Sequence, residues 1–473
     1  MPWLAVEFMV APSCPGVNVD ALVGRLIDIY MVTFHPTAGL LSLDAIDQDY
    51  ALNQLPQAGD HSRQSLHLRA ADYYERLQSP SESWRTLADV EPYMLEAEHR
   101  CAGMHYEGAA RTLGRINATF VATRGNPQAL ASLYERVLAN VQEPGLRARL
   151  LAGLGVLRLF LGPLEAAYGN LRDARDLAQQ TGDQSLELHA TGQMGEVCRR
   201  LGRLDEAVAL LRQVVEKAGS AGPESDLFAL LFSLTLSYRG DYREALAVSE
   251  SVLQQARQTR NVELEGHVHD GQSLAYLGLG DSEQAYQHAT RAIACYTQAG
   301  VRDALGYVFN VHGMACIGRG EFAEAERSFE QGLRFGRDDG NPRLEGFSLF
   351  NLARLARLME DFASAGRLAD TAENVLRGIG AAEAPAAHAL AEAVRARQEG
   401  DRVRETESLL AVARASIATP DLHAPLDLLE EVEAFARAQQ LDAVADEAAI
   451  WRRSLLERRQ SGSGAAGATG QGG

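Results

Sequence analysis

One turn signature recurs along most of the chain, and its spacing constrains the fold more than any other feature. The signature reads glycine, any residue, an apolar or aromatic residue, two further residues and alanine. It begins at Gly162, Gly202, Gly240, Gly280 and Gly320, continues with Glu360 in place of glycine, and weakens at Gly400. A repeat of about 40 residues has room for two helices and two turns of ordinary length. The sequence therefore predicts a tandem array of helical hairpins.

Small residues occupy fixed positions around each turn. Each glycine follows an apolar run of helical period, where a left-handed cap ends the first helix, and the acidic residues that often come next can start the second. Seven residues before the turn the chain has Gly155, Gly195, Ser233, Ser273, Gly313, Ala353 and Ala393, and five after it Ala167, Ala207, Ala245, Ala285, Ala325 and Ala365. Small side chains on both helices let two backbones approach closely, and stacked hairpins then share a continuous core.

These residues resemble the tetratricopeptide repeat, which has a small residue within its first helix, a glycine turn and an alanine in its second helix. The resemblance covers about residues 145–415. Where the family often has an aromatic residue three positions after the small one, only Tyr276 conforms here. The resemblance implies an all-α solenoid of antiparallel helix pairs whose first helices line a concave groove.

The first sixty residues have a different pattern. β-Branched and aromatic residues predict a hairpin about the turn from His35 to Gly39, with helical patterns at 19–27 and 45–55 on either side. This order, and the segment from Leu43 to Ala51, resemble the winged-helix region of bacterial STAND-class signalling ATPases. The histidine that senses nucleotide phosphate in that family is Asp44 here, and the sequence has no G-x-x-x-x-G-K-[ST] phosphate loop. The resemblance thus implies the sensor part of such a protein without its nucleotide-binding ATPase domain.

Four segments are expected along the chain. They are a partial winged-helix-like module (1–60), a helical linker or cap (61–142), the repeat array (143–458) and a disordered tail of small and polar residues (459–473).

Charge and cysteine usage narrow the classes of partner. A formal net charge of -18 argues against nucleic acid and against anionic membrane surfaces, which need clustered Lys and Arg. Five cysteines without C-x-x-C spacing indicate neither a disulfide framework nor a zinc site, and fit a reducing cytoplasm. His267, His269 and Asp270 do not form a good metal site, because helical residues two apart point to different sides. Cys198 and Cys316 are interpreted as small core residues, and no enzyme activity, cofactor or metal is expected.

The groove is the better candidate for a functional surface. The family's register assigns inward positions to His189, Glu196, Arg199, His267, Asp270, Tyr307, Asn310, Phe347, Phe350, Arg354 and Arg357. Arg354 and Arg357 lie three apart on one helix face, close to Asn310 of the preceding repeat, and could bind an acidic or C-terminal carboxylate of a partner. The alternative is that these are solvated charges on an ordinary helix face.

Three functional hypotheses follow. The leading one is a non-catalytic scaffold or sensor module of bacterial signalling that binds a protein or peptide in the groove. The second is a subunit or truncated form of a STAND-class ATPase or transcriptional regulator, acting with a nucleotide-binding domain supplied elsewhere. The third is self-association of the array.

Overall fold

The structure is a computed structural model of the chain. It describes residues 18–28, 31–37, 39–44, 46–47, 53–125, 127–218, 223–418 and 426–461, together with residues 5, 6, 8 and 50. It divides into two compact units, Met1–Gly202 and Arg203–Gly473. The predicted tail falls mostly outside the described residues, and the four-segment division remains a prediction.

The first elements whose bounds the structure describes are a helix and a hairpin. Helix α1 (Val19–Asp28) precedes strands β1 (Val32–His35) and β2 (Leu40–Leu43). The strands are antiparallel, with Val32 opposite Leu43 and His35 opposite Leu40. The predicted hairpin and the helix before it are confirmed. The helix predicted at 45–55 falls largely outside the described residues.

Eight further α-helices of the first unit have bounds within the described residues. They are α2 (Arg63–Arg76), α3 (Glu91–Ala102), α4 (Tyr106–Leu113), α5 (Ala118–Arg124), α6 (Pro127–Leu138), α7 (Pro144–Leu161), α8 (Leu164–Thr181) and α9 (Gln184–Arg200). A core runs from Trp84 and Tyr93 through Leu130 and Tyr134 to Leu154. The Tyr134 hydroxyl is buried there and donates a hydrogen bond of 2.7 Å to the Leu113 carbonyl, which satisfies its polar group.

The second unit consists of helices only, as far as the described residues show. After α10 (Leu204–Ala218), six hairpins follow along the chain. Their helices are α11 (Pro223–Arg239), α12 (Tyr242–Thr259), α13 (Val262–Leu279), α14 (Ser282–Ala299), α15 (Arg302–Gly318), α16 (Phe322–Asp338), α17 (Pro342–Leu358), α18 (Phe362–Gly378), α19 (Ala384–Glu399), α20 (Arg402–Ala418), α21 (Leu426–Ala438) and α22 (Asp442–Ser461).

The turns behave as the signature predicts. Gly162, Gly202, Gly240, Gly280, Gly320 and Gly400 all have positive φ. Glu360 takes the same left-handed conformation at φ 63° without being glycine, which costs about 1 kcal/mol. The acidic residue after the turn caps the second helix at Asp281 and Asp361, whose side chains accept a hydrogen bond from the backbone three residues on.

Small residues in the first helices permit close packing of each hairpin. A Cβ atom added at Gly313 would come within 2.5 Å of the ring of Phe329 on α16, and one at Gly155 within 2.6 Å of Leu171 on α8. Both neighbours are fully buried. The small residue is therefore needed at these two positions because a larger one would force the hairpin open.

Candidate functional site

The first helices of successive hairpins define one side of the second unit. Helices α11, α13, α15, α17 and α19 contact one another in sequence, in addition to contacting their hairpin partners, and α21 reaches α17 through the ion pair between Glu431 and Arg357. Because the second helices are less closely associated, the stack curves with its first helices on the inside. The surface formed by α13, α15, α17, α19 and α21 is called the inner face below.

The candidate residues are divided between the two units. His189, Glu196 and Arg199 lie on α9 in the first unit, and the others lie on α13, α15 and α17 in the second. His189 is half-buried. The candidate residues of the two units therefore form separate groups.

Glu196 and Arg199 are engaged with each other. The Glu196 carboxylate is buried and accepts hydrogen bonds from Arg199 at 2.7 and 2.8 Å and from Arg200 at 2.8 Å. Burial alone would raise the pKa of Glu196, but the two guanidinium groups hold it below its ordinary value. This carboxylate is already neutralised within α9, so it offers little to an external ligand.

Asn310 does not belong to an accessible surface, and its predicted role in the groove is wrong. Its side chain is fully buried and donates hydrogen bonds to the Gly306 carbonyl at 3.0 Å and the Ser348 hydroxyl at 2.8 Å. It also accepts one from Asn351 at 3.0 Å. The amide therefore joins α15 to α17. The repeat register predicts that the Asn310 side chain points inward, but it does not predict that the side chain is buried.

Aromatic residues at inward positions are also more buried than the groove hypothesis requires. Phe347 and Phe350 belong to the core shared by α17, α18 and α19. Tyr307 is half-buried against that core, and its hydroxyl accepts a hydrogen bond from Asn341 at 3.3 Å. Of these three side chains, only Tyr307 retains substantial exposure.

His267 and Asp270 are brought together through a residue that the register does not identify. The hydroxyl of buried Tyr296, on α14, lies 2.9 Å from His267 Nδ1. Burial raises the pKa of Asp270 to about 7, and a hydrogen bond from Tyr296 opposes that rise. The Oδ1 atom of Asp270 is buried without a hydrogen-bond partner among the described residues. The group is thus a polar cluster sensitive to protonation near neutral pH.

A cleft of about 600 Å³ adjoins this cluster, between the ends of α11, α12 and α13. Leu227, Leu230 and Leu264 supply its apolar walls, while Asp226 and Glu263 supply carboxylates. Burial raises the pKa of Asp226. His267 lines the same cleft, with its Nε2 atom 4.0 Å from Glu263.

Arg357 makes a bidentate charge contact on the inner face. Its Nη1 and Nη2 atoms donate hydrogen bonds of 2.8 Å each to the two carboxylate oxygens of Glu431, which lies on α21. The side chains are 13% and 27% exposed. The pair joins α17 directly to α21, although the first helix of another hairpin, α19, comes between them in the repeat order. The predicted guanidinium is present on the inner face, but the chain itself provides its carboxylate.

Arg354 differs from Arg357 because no carboxylate among the described residues forms an ion pair with it. It is half-buried, with its guanidinium carbon 5.8 Å from the centre of the Phe350 ring. Burial lowers the pKa of Arg354 to about 10, repulsion by Arg357 adds to that effect, and Asp427 on α21 opposes it. Arg354 remains cationic at neutral pH and forms no ion pair with any carboxylate in the part of the chain that the structure describes.

Glu405 extends the charged group to α20. It is buried and pairs with Arg402 at 2.9 Å and Arg397 at 3.5 Å. Burial raises the pKa of Glu405, Arg402 and Arg357 oppose that rise, and Glu431 adds to it. Among the linked side chains there are four arginines, at 354, 357, 397 and 402, and three carboxylates, at 405, 427 and 431. The group, called the arginine cluster below, therefore has a surplus positive charge within a strongly acidic chain.

The buried thiol of Cys316 has little nucleophilic character. Cys316 and Cys198 are fully buried, as predicted. His312 Nδ1 lies 3.7 Å from Cys316 Sγ, but burial raises the pKa of the thiol to about 12 and lowers that of His312. A thiolate is therefore scarce at neutral pH.

His269 and His267 bind different partners, as their spacing predicts. His269 Nδ1 is 3.0 Å from His288 Nδ1, whereas His267 Nδ1 is 2.9 Å from the hydroxyl of Tyr296, eight residues further along the same helix α14. Within the described ranges, no group of three or more His, Cys, Asp or Glu residues is arranged to hold a metal ion. In the same ranges, no helix is long and apolar enough to cross a membrane.

The class that this architecture defines is the tetratricopeptide-repeat solenoid. Residues 146–218 match the tetratricopeptide repeat family. The predicted resemblance and the all-α fold class are confirmed by this match and by the stacked hairpins. No curated protein matches the sequence of the chain.

Solved structures of low sequence identity share the fold. One is a Signal Transduction ATPase with Numerous Domains (STAND) protein with a tetratricopeptide repeat sensor from Pyrococcus horikoshii, at a TM-score of 0.56 and 13% identity. That likeness covers 95% of this chain, which spans 63% of the STAND protein. A Rap protein complexed with Competence and Sporulation Factor has a TM-score of 0.58 and 11% identity, over 75% of this chain and 99% of that one. The apo form of RapI has a TM-score of 0.52 and 11% identity, over 75% and 96%.

Proposed function

We propose that this chain is a non-catalytic interaction or sensor module that binds a peptide or a segment of a protein partner on the inner face of its second unit. The observation that carries the proposal is Arg354, a sheltered cation that no described carboxylate neutralises. Keeping a charge away from water without a partner costs free energy, and an anionic ligand would remove part of that cost.

The neighbourhood of Arg354 has the features of a recognition site for a carboxylate. A guanidinium binds a carboxylate through two parallel hydrogen bonds, and Arg357 already holds Glu431 in that geometry one turn away. Half-buried Met314, on the neighbouring helix α15, packs against the same core as Phe350 and offers an apolar contact. These groups support an acidic segment, or the carboxylate at the end of a peptide, as the ligand.

The relatives in fold give this proposal a biological setting. One of the similar structures is a Rap protein in complex with Competence and Sporulation Factor, and another contains a tetratricopeptide repeat sensor. A sensor role in signalling is consistent with both. A cytoplasmic location also belongs to the proposal.

Selection of random linear peptides displayed on phage would test the proposal. We expect the wild-type chain to enrich peptides with Asp, Glu or an accessible C-terminus, and Arg354→Met to lose that enrichment while keeping the contact with Phe350. Arg334→Met on the exposed side of α16 is the matched control and should select the same peptides as wild type. Equal selection by all three proteins would refute the role of Arg354.

A second candidate function rests on the extent of one likeness. The similarity to the STAND protein extends over 95% of this chain. In this version the chain acts with a nucleotide-binding domain supplied elsewhere, and the inner face receives the signal. Calorimetry with ATP and the isolated chain tests both versions together, because binding of ATP by this chain alone would contradict each of them.

A further inference from the structure

Helix α21 presents an acidic edge to the two arginines of the inner face. Glu431 forms an ion pair with the Arg357 guanidinium. Asp427, four residues earlier, forms no ion pair with Arg354, but its charge acts to raise the pKa of that arginine. Leu428 packs against the core that contains Phe347 and Phe350. The chain thus offers two carboxylates, one helical turn apart, to two arginines that are also one turn apart.

The position of α21 does not depend on the Glu431 carboxylate. Leu429 and Val432 are fully buried against Leu409 and Leu410 of α20 and Ala448 of α22. Glu431 is on a different side of the helix and remains 27% exposed. Its side chain can therefore turn toward solvent while the backbone of α21 stays in place.

We propose that Glu431 is an exchangeable internal anion, and that the partner is an acidic segment with two carboxylates about one helical turn apart. One carboxylate of the partner replaces Glu431 on Arg357, and the other binds Arg354. This inference rests on the proposed function and specifies both its ligand and its regulation. The surplus positive charge of the arginine cluster favours an anion over a neutral or basic segment.

Exchange has a thermodynamic consequence that can be measured. Glu431 is tethered beside Arg357, so it competes with any external carboxylate at a high effective concentration. Removing its charge should strengthen binding of an acidic ligand, although the chain loses an internal ion pair. A purely structural role for the pair predicts no such gain.

The test uses the full chain and a synthetic peptide, acetyl-Ala-Asp-Ala-Ala-Ala-Glu-Ala-amide, titrated by calorimetry. We expect Glu431→Gln to lower the Kd of this peptide about tenfold relative to wild type. Glu430→Gln, which removes an exposed charge from the same helix, should leave the Kd close to the wild-type value. The counterpart with Asn and Gln in place of Asp and Glu should not bind.

Further variants separate the two proposals. In Arg357→Met/Glu431→Gln, the gain should disappear, because the guanidinium for which the anions compete is gone. Thermal melts identify loss of folding, and Glu431→Ala provides a second variant at the partly exposed position. Equal Kd values for Glu431→Gln and Glu430→Gln, or no binding by Glu431→Gln, would overturn the exchange. A gain with Glu431→Gln that survives Arg354→Met would instead contradict the part of the proposed function assigned to Arg354.

Discussion

The Arg357 guanidinium and the Glu431 carboxylate form a bidentate ion pair at 2.8 and 2.8 Å, between residues 74 positions apart in the chain. Both side chains are sheltered from water, so their attraction is screened less than that of a surface pair. The pair joins α17 to α21 and occupies half of the site predicted from the arginines.

A double-mutant cycle should measure this pair directly. We expect Arg357→Met, Glu431→Gln and the double variant to give a coupling energy of about 1–2 kcal/mol in urea unfolding, because the geometry is bidentate and partly buried. The exposed pair between Arg327 and Glu324 on α16 is the control and should give at most about 0.5 kcal/mol. Equal coupling energies in the two cycles would show that partial burial does not strengthen the ion pair.

Asp270 predicts a specific dependence of stability on pH. Its folded pKa of about 7 is above the unfolded value near 4, so the folded state keeps a proton that the unfolded state loses. The stability that it contributes is present below about pH 4 and is lost as pH rises through 7. Asp270→Asn should therefore stabilise the chain by about 1–2 kcal/mol at pH 8 and have little effect at pH 4.5.

Thermal melts of the wild type and Asp270→Asn at the two pH values provide the measurement. Exposed Asp338, on α16, offers a control, since Asp338→Asn should shift the melting temperature equally at both. If Asp270→Asn also shifts it equally at both pH values, the carboxyl of Asp270 does not titrate as proposed.

Two glycines of first helices should respond oppositely to alanine. At Gly313 a methyl group would meet the buried ring of Phe329, and we expect Gly313→Ala to cost about 1–3 kcal/mol. At Gly271 on α13 no atom lies within 4 Å of the added Cβ, so Gly271→Ala should stabilise by about 0.5–1 kcal/mol through helix propensity. Urea unfolding of both variants checks the pair. A similar destabilisation in both would mean that hairpin packing is not what requires a small residue.

Local backbone requirements explain why much of the fold could be predicted from the sequence. The glycine turns recur because a left-handed residue ends each first helix, and even Glu360 adopts that conformation at its place in the register. The small residues recur because hairpins must approach closely, as Gly313 and Phe329 demonstrate. Both requirements arise from contacts within one repeat, so the same residue types recur at the repeat period and can be recognised in the sequence.

The candidate site was harder to predict because it depends on depth and on distant contacts. Register placed Asn310 on the inward side, but whether its amide meets water or Ser348 depends on the spacing of α15 and α17. Glu431 could not be assigned to Arg357 from spacing, since the contact depends on the curvature of several stacked helices. Tyr296 was missed because it belongs to a second helix, outside the inward positions.

The equilibrium dissociation constant of an acidic peptide, selected on the wild-type chain, tests the central claim most directly when it is measured for Arg354→Met. We predict a loss of affinity of about tenfold or more, since one charge-assisted contact is removed, with Arg334→Met unchanged. Affinity equal to wild type in Arg354→Met would contradict the claim that the Arg354 guanidinium recognises the partner.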